Sequence, residues 1–276
     1  MVVRRPGLLT TVQDLGRSGL AHLGVPRSGA VDVPALLRAN RLVGNRPGAA
    51  ALEVTASGPE LVFEVDATVA VHDEARFVPA GTVLDVGPVR RGLRGYVAVR
   101  GGVAVPPVLG SRSTCTLSGL GPPPLQEGQR LPVGDAVRGE PRPVEVPQLP
   151  ARPVLRLLPG PRDEALAPQG WRQLVTTEWE VSTASDRTGV RLLGPPVERT
   201  RAPEPLSEGV VPGAVQVPPD GRPVLFLSGC PTTGGYPVVA VVADGDLWLV
   251  AQAAPGTRLR LSTDQPAAGP EGPAGS

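Results

Sequence analysis

Two stretches of this chain bring together groups that a packed core does not need. Residues 185–191, Ser-Asp-Arg-Thr-Gly-Val-Arg, place one acid and two arginines within seven positions. An aspartate beside arginines is a common way to hold a guanidinium fork ready for a carboxylate or phosphate. Residues 232–237, Thr-Thr-Gly-Gly-Tyr-Pro, combine two hydroxyls with paired glycines. Paired glycines let a backbone turn tightly and point its N–H groups at an anion. The plainer readings are an exposed ion pair and a hairpin turn.

Composition narrows the chemistry. All 27 basic residues are arginine, and lysine is absent. That excludes a P-loop lysine, a Schiff-base lysine and a biotinylated lysine in this sequence. Isoleucine is absent as well, which points to compositional bias in the source. Cys115, Cys230, His22 and His72 fall at no metal-ligand spacing, so no metal site is expected. Cys115 reads as inert packing and the two histidines as ordinary residues. The formal net charge of +1 gives no electrostatic footprint for nucleic acid or a membrane surface. The N-terminal residues lack an apolar signal region and no run of eighteen apolar residues occurs, so a cytoplasmic protein with free thiols is expected.

The elements that must position these groups are short strands. Apolar content is 41% but aromatic content only 3%, so the core rests on Val, Leu and Ala. Gly and Pro number 35 each and punctuate Val-rich runs, a pattern of strands and turns at roughly ten-residue intervals. Strands are expected at 52–55, 60–65, 68–72, 82–86, 95–100, 113–117 and 134–138. A second series follows at 154–158, 179–181, 190–193, 214–217, 224–227, 238–242, 247–251 and 258–261. Residues 7–19 read as turn-rich. One helix stands out at 33–43, with Asp32 as N-cap, Pro34 in the first turn and Gly44 as the stop. Short helical turns are expected at 163–166 and 170–174, split by Pro168. The expected organisation is a β-rich half over 1–140, a Pro-rich linker at 139–153, a barrel half over 154–264 that carries both motifs, and a disordered tail at 265–276.

Eight collinear stretches resemble one family: GLLTTVQDLGRSG (7–19), GVPRSGAVD (24–32), ANRLVGN (39–45), ALEVTASGPELVFE (51–64), GGVAVPPVLGSRST (101–114), SDRTGVRLLGPP (185–196), LSEGVVPGAVQVP (206–218) and TTGGYP (232–237). The chain is identified from them as a member of the group that holds the C-type component of 5-oxoprolinase, the kinase-inhibitor antagonist of sporulating bacteria and allophanate hydrolase subunit 2. This group is often labelled the biotin-dependent carboxyltransferase family. The resemblance implies a mainly β fold of cyclophilin-like closed β-barrels in two halves, with a few short helices. It implies a smaller partner subunit of related fold, and a lactam-hydrolase subunit beside it. The implied activity is ATP-dependent opening of 5-oxoproline to glutamate, with ATP and magnesium handled together with the partner and no covalent biotin here. The alternatives within the family are a protein-binding regulator, and a carboxyltransferase component acting on urea or another small amide.

The resemblance also assigns residues. Activating a lactam oxygen requires the developing charge to be stabilised. Arg187 and Arg191 are implied to supply positive charge, with Asp186 holding one guanidinium. Thr232, Thr233, Gly234, Gly235 and Tyr236 are implied to bind substrate, joined by Gln13, Asp14, Arg17 and Ser28 from the N-terminal motifs. One departure touches this set: where the family has an Asp-Arg-Gln-like run before Thr232, this chain has Gly229-Cys230-Pro231. If only side chains are missing there, an acid at 229 and an arginine at 230 are expected to restore them.

Overall fold

A computed structural model describes residues 1–200 and 204–263; the expected tail at 265–276 lies outside them. The first series of strands is β1 (Val2–Arg5), β2 (Leu9–Gln13), β3 (Ala51–Thr55), β4 (Glu60–Val62), β5 (Ala67–Val71), β6 (Glu74–Val78), β7 (Val83–Asp85) and β8 (Arg94–Val99). They form a three-stranded sheet, β1-β4-β7, and a five-stranded sheet, β2-β3-β8-β5-β6.

The alternation of side chains along the five-stranded sheet explains what covers each face. Leu52, Val54, Val69, Val71, Val97 and Val99 point to one side and pack against Val3, Leu61 and Leu84 of the smaller sheet. Ala51, Ala70, Tyr96 and Ala98 point to the other, where α1 (Val33–Leu42) lies on them through Ala35, Leu36 and Ala39. Alanines on both surfaces let the helix approach closely. Glu53 shares this helix-facing side and is 2% exposed. The helix starts as expected, with the Asp32 carboxylate accepting from the Ala35 amide at 2.8 Å.

The second series is β9 (Val154–Pro159), β10 (Glu178–Val181), β11 (Gly189–Leu193), β12 (Glu208–Gly209), β13 (Ala214–Gln216), β14 (Val224–Phe226), β15 (Thr233–Gly234), β16 (Val238–Val242) and β17 (Arg258–Ser262). Seven of these close a barrel in the order β10-β11-β14-β13-β16-β9-β17. Its interior holds Leu155, Leu157, Trp179, Val190, Leu192, Leu225, Leu259 and Leu261. Trp179 donates its indole N–H to the Leu174 carbonyl at the end of α2 (Pro168–Thr176). Closure is therefore seen for the second series, while the first is arranged as two facing sheets. The mainly β class stands.

Several elements differ from expectation. Leu9–Gln13 is a strand, not a turn-rich loop; its polar Thr10, Thr11 and Gln13 are buried because residues 111–125 cover it, with Thr114 and Leu125 donating to the Val12 and Thr10 carbonyls. Residues 113–117 and 134–138 consequently form covering loops, not strands. Pro168 does not split a helix but begins one, since N1 needs no amide donor. Leu247–Gln252, expected as a strand, is helix α3. Its run buries Leu249, Val250, Ala251 and Gln252 in succession, and a short, continuously buried run does not reveal its period. No described helix is long and apolar enough to cross a membrane.

Candidate functional site

The N-terminal motif residues are drawn together by one loop. The Asp14 carboxylate accepts hydrogen bonds from the Ser111 and Ser113 hydroxyls (2.6 and 2.5 Å) and from the Arg112 and Gly16 amides (2.7 and 2.8 Å). Burial pushes this carboxyl up, but the four donors outweigh it and hold the group below the usual aspartate value. Arg17, 2% exposed, donates to the Val108 and Ser113 carbonyls at 3.0 and 2.6 Å. Asp14 and Arg17 thus fasten residues 108–114 to the first turn. Arg17 Nη1 is left buried without a hydrogen-bond partner.

Above that loop lies a buried polar network at the seam between the sheets and the barrel. The Gln13 amide donates to the Thr114 carbonyl at 3.0 Å, and the Ser28 hydroxyl donates to the same oxygen at 2.8 Å. Arg187 enters from the barrel side and is 4% exposed. It donates to the Gly29 carbonyl at 2.7 Å, to Glu53 Oε1 at 3.4 Å, and to Ser28 Oγ and the Thr114 carbonyl at 3.5 Å. Glu53 Oε2 accepts from the Tyr96 hydroxyl at 2.7 Å and from the Val31 amide at 2.9 Å. The Tyr96 oxygen accepts from the Asp32 amide, and Asp32 Oδ2 accepts from the Gln252 side chain of α3 at 2.8 Å. The chain of contacts therefore leaves the barrel at Arg187 and returns to it at Gln252. Gln13 Oε1 and Thr114 Oγ1 are buried there without a hydrogen-bond partner.

The arginine motif is assembled differently from the expected fork. Asp186 does not pair with Arg187. It is exposed and accepts from the Thr188 and Gly189 amides at 2.7 and 3.1 Å, capping its own turn. Arg191 is exposed on β11 and makes no ion pair among the described residues. The buried partner of Arg187 is Glu53, from a distant strand.

The Thr-Thr-Gly-Gly-Tyr-Pro segment forms no anion concavity. Thr233 and Gly234 pair with Glu208 and Gly209 as a two-stranded ribbon, and neither glycine has a positive φ. A backbone nest needs alternating right- and left-handed residues, so the N–H groups are not gathered. Gly234 is needed for approach: a Cβ there would lie 3.0 Å from Gln216 Nε2. The Gln216 side chain donates to the Tyr236 carbonyl at 2.7 Å, and the Tyr236 ring is half exposed. The preceding Gly229 donates its amide to the Arg187 carbonyl, and a Cβ at 229 would sit 2.7 Å from that oxygen. An acid at 229 therefore has no room. Cys230 is buried beside it, and burial pushes its thiol up to about 11. The unusual tripeptide supports the Arg187 loop.

Two openings reach the seam. A small cavity of about 100 Å³ touches Ser28, Ala30, Ser228 and Trp248. A larger cleft of about 310 Å³ reaches Asp32, Tyr96 and Gln252 from the other side. The network is thus accessible at both ends while its centre is buried.

A family profile described as carboxyltransferase domain, subdomain A and B, matches residues 23–263. The chain belongs to this carboxyltransferase-domain family. Among its relatives, the C-type component of Escherichia coli K12 5-oxoprolinase is 39% identical over 90% of this chain and 86% of its own length. Its Haemophilus influenzae counterpart is 34% identical over 91% and 87%. The crystal structure of Kluyveromyces lactis urea carboxylase superposes with a TM-score of 0.88 at 30% identity, covering 94% of this chain and 27% of that one.

Within this carboxyltransferase-domain frame, Glu53, Tyr96 and Gln252 are the seam residues that sequence reasoning did not select. Glu53 carried a usable signal. It is an acid inside a Val-rich strand, and a buried carboxylate requires a partner.

Proposed function

We propose that this chain is a subunit of an ATP-dependent 5-oxoprolinase, acting with a smaller partner subunit to open 5-oxoproline to glutamate. The observation that carries this reading is the similarity to the E. coli 5-oxoprolinase component, which spans 90% of this chain and 86% of that protein.

Within that reading, Arg187 is a positioning residue. Its guanidinium is committed to Glu53, Gly29 and Ser28, so it sets the conformation of the 28–31 loop instead of contacting substrate. Ser28 has a left-handed φ of 54°, a strained conformation for a non-glycine residue that the surrounding bonds hold in place. The residues present do not fit a nucleotide site made by this chain alone. Gly234 is taken up in a ribbon, a P-loop lysine is missing, and no cluster of metal-ligating side chains occurs among the described residues. We therefore assign ATP and its magnesium to a site completed by the partner.

A second reading, a carboxyltransferase component acting on urea, draws on the similarity to the K. lactis urea carboxylase. One experiment separates the two. The chain is reconstituted with its smaller partner and lactam-hydrolase subunit, and ATP turnover is followed with 5-oxoproline or urea. Turnover that needs both 5-oxoproline and this chain is expected. Turnover indifferent to omission of this chain, or carboxylation of urea from a biotin carrier, would overturn the proposal.

A further inference from the structure

The larger opening is lined by a buried charge that makes no direct ion pair among the described residues. Arg94, at the start of β8, is 4% exposed and lines the cleft. Its Nη1 donates to the Ala251 carbonyl, and its Nε has no hydrogen-bond partner. It makes no ion pair among the described residues. A buried guanidinium without a carboxylate is costly unless something neutralises it. Arg38 of α1 faces the same space, and its Nε also lacks a hydrogen bond.

The acids around the cleft are already engaged. Asp73 lies between Arg38 and Arg91, at 3.6 and 3.3 Å. Asp32 accepts from Ala35 and Gln252. Glu74 is exposed, 3.9 Å from Arg76. None pairs directly with Arg94, and Glu53, the acid whose charge acts on it most, is bonded to Arg187, Tyr96 and the Val31 amide. Val89, Leu149 and Trp248 supply apolar wall.

We propose that this cleft binds a small organic carboxylate through the guanidinium groups of Arg94 and Arg38. A volume of about 310 Å³ admits a compact molecule. The neighbouring Asp32, Asp73 and Glu74 repel a polyphosphate and leave room for a single negative charge. The apolar wall suits a short methylene ring or chain. The choice of 5-oxoproline as first probe rests on the function proposed above; the carboxylate chemistry does not.

The test is calorimetric titration of the full chain with 5-oxoproline, glutamate, acetate, inorganic phosphate and 2-pyrrolidinone, the last being the same ring without its carboxylate. A carboxylate is expected to bind saturably in the millimolar range or better. Losing the charge-assisted contact should weaken 2-pyrrolidinone by about tenfold or more relative to 5-oxoproline. Arg38→Gln and Arg94→Lys should each weaken 5-oxoproline by about tenfold. Arg38 is partly exposed on a helix, so Arg38→Gln carries the test even if Arg94→Lys fails to fold. Equal binding of 2-pyrrolidinone, equal binding of phosphate, unchanged binding by folded variants, or no carboxylate bound at all would each overturn the site. Glutamate binding without 5-oxoproline binding would leave the site standing and count against the 5-oxoprolinase reading. Turnover by the assembled complex with an unchanged KM in Arg38→Gln would do the reverse.

Discussion

The Arg187 loop and the Thr232–Pro237 segment look alike in sequence, yet the fold treats them in opposite ways. Both are short, polar and glycine-containing. Arg187 is carried into the seam and bonded to residues of the other half of the chain. Thr233, Gly235 and Tyr236 stay on the surface, in or beside a two-residue ribbon. The difference lies in what stands opposite. A buried acid, Glu53, waits for Arg187, whereas the ribbon pairs with Glu208 and Gly209 at the surface. Dense polar residues mark a place of interest, but burial decides whether they are a network or a rim.

Substitutions sharpen this contrast. Glu53→Ala should have the largest effect, because it strands Arg187 as an uncompensated buried charge and costs about 3–5 kcal/mol. A denaturant midpoint close to that of the unsubstituted chain would break the contrast at its centre. Gly229→Asp should cost about 1–3 kcal/mol through overpacking against the Arg187 backbone, and should lower turnover of the assembled complex. Raised turnover would mean that only side chains are missing at that turn. Asp14→Asn removes a carboxyl whose folded value lies below its unfolded one. Its stabilisation is present above the unfolded value of about 4 and is lost as pH falls through the folded one. The stability gap between Asp14→Asn and the unsubstituted chain should therefore close on acidification below about pH 4. A gap constant with pH would show that the hydrogen bonds do not depend on charge. Thr233→Ala, on the exposed ribbon, should change stability by no more than about 0.5 kcal/mol. A larger loss in thermal unfolding would place the ribbon in the core.

Much of the scaffold was legible because it follows from periodicity. The helix at 33–42 announces itself through Asp32 and Pro34, and most barrel strands through Val and Leu alternation. Helix α3 was not legible, since Leu247–Gln252 is largely buried and short. At the seam, Arg187, Gln13 and Ser28 stand out in the sequence, but the pairing of Arg187 with Glu53 does not. Asp186 and Arg187 are adjacent, but Asp186 is taken up in capping its own turn, so adjacency argued for a pair that the fold separates. The pairing with Glu53 spans 134 residues, a distance over which one sequence offers no register. Arg94 was likewise invisible as a site, because only the closing of α3 over β8 buries it.

The central claim is that Arg187 and Glu53 act as one unit across the seam. A double-mutant cycle with Arg187→Gln and Glu53→Gln, read by chemical denaturation of the full chain, tests it most directly. The account predicts a coupling of about 1–3 kcal/mol, the double variant being less destabilised than the two single losses combined. Additive losses would contradict it, and would return Arg187 to the role of an isolated charge.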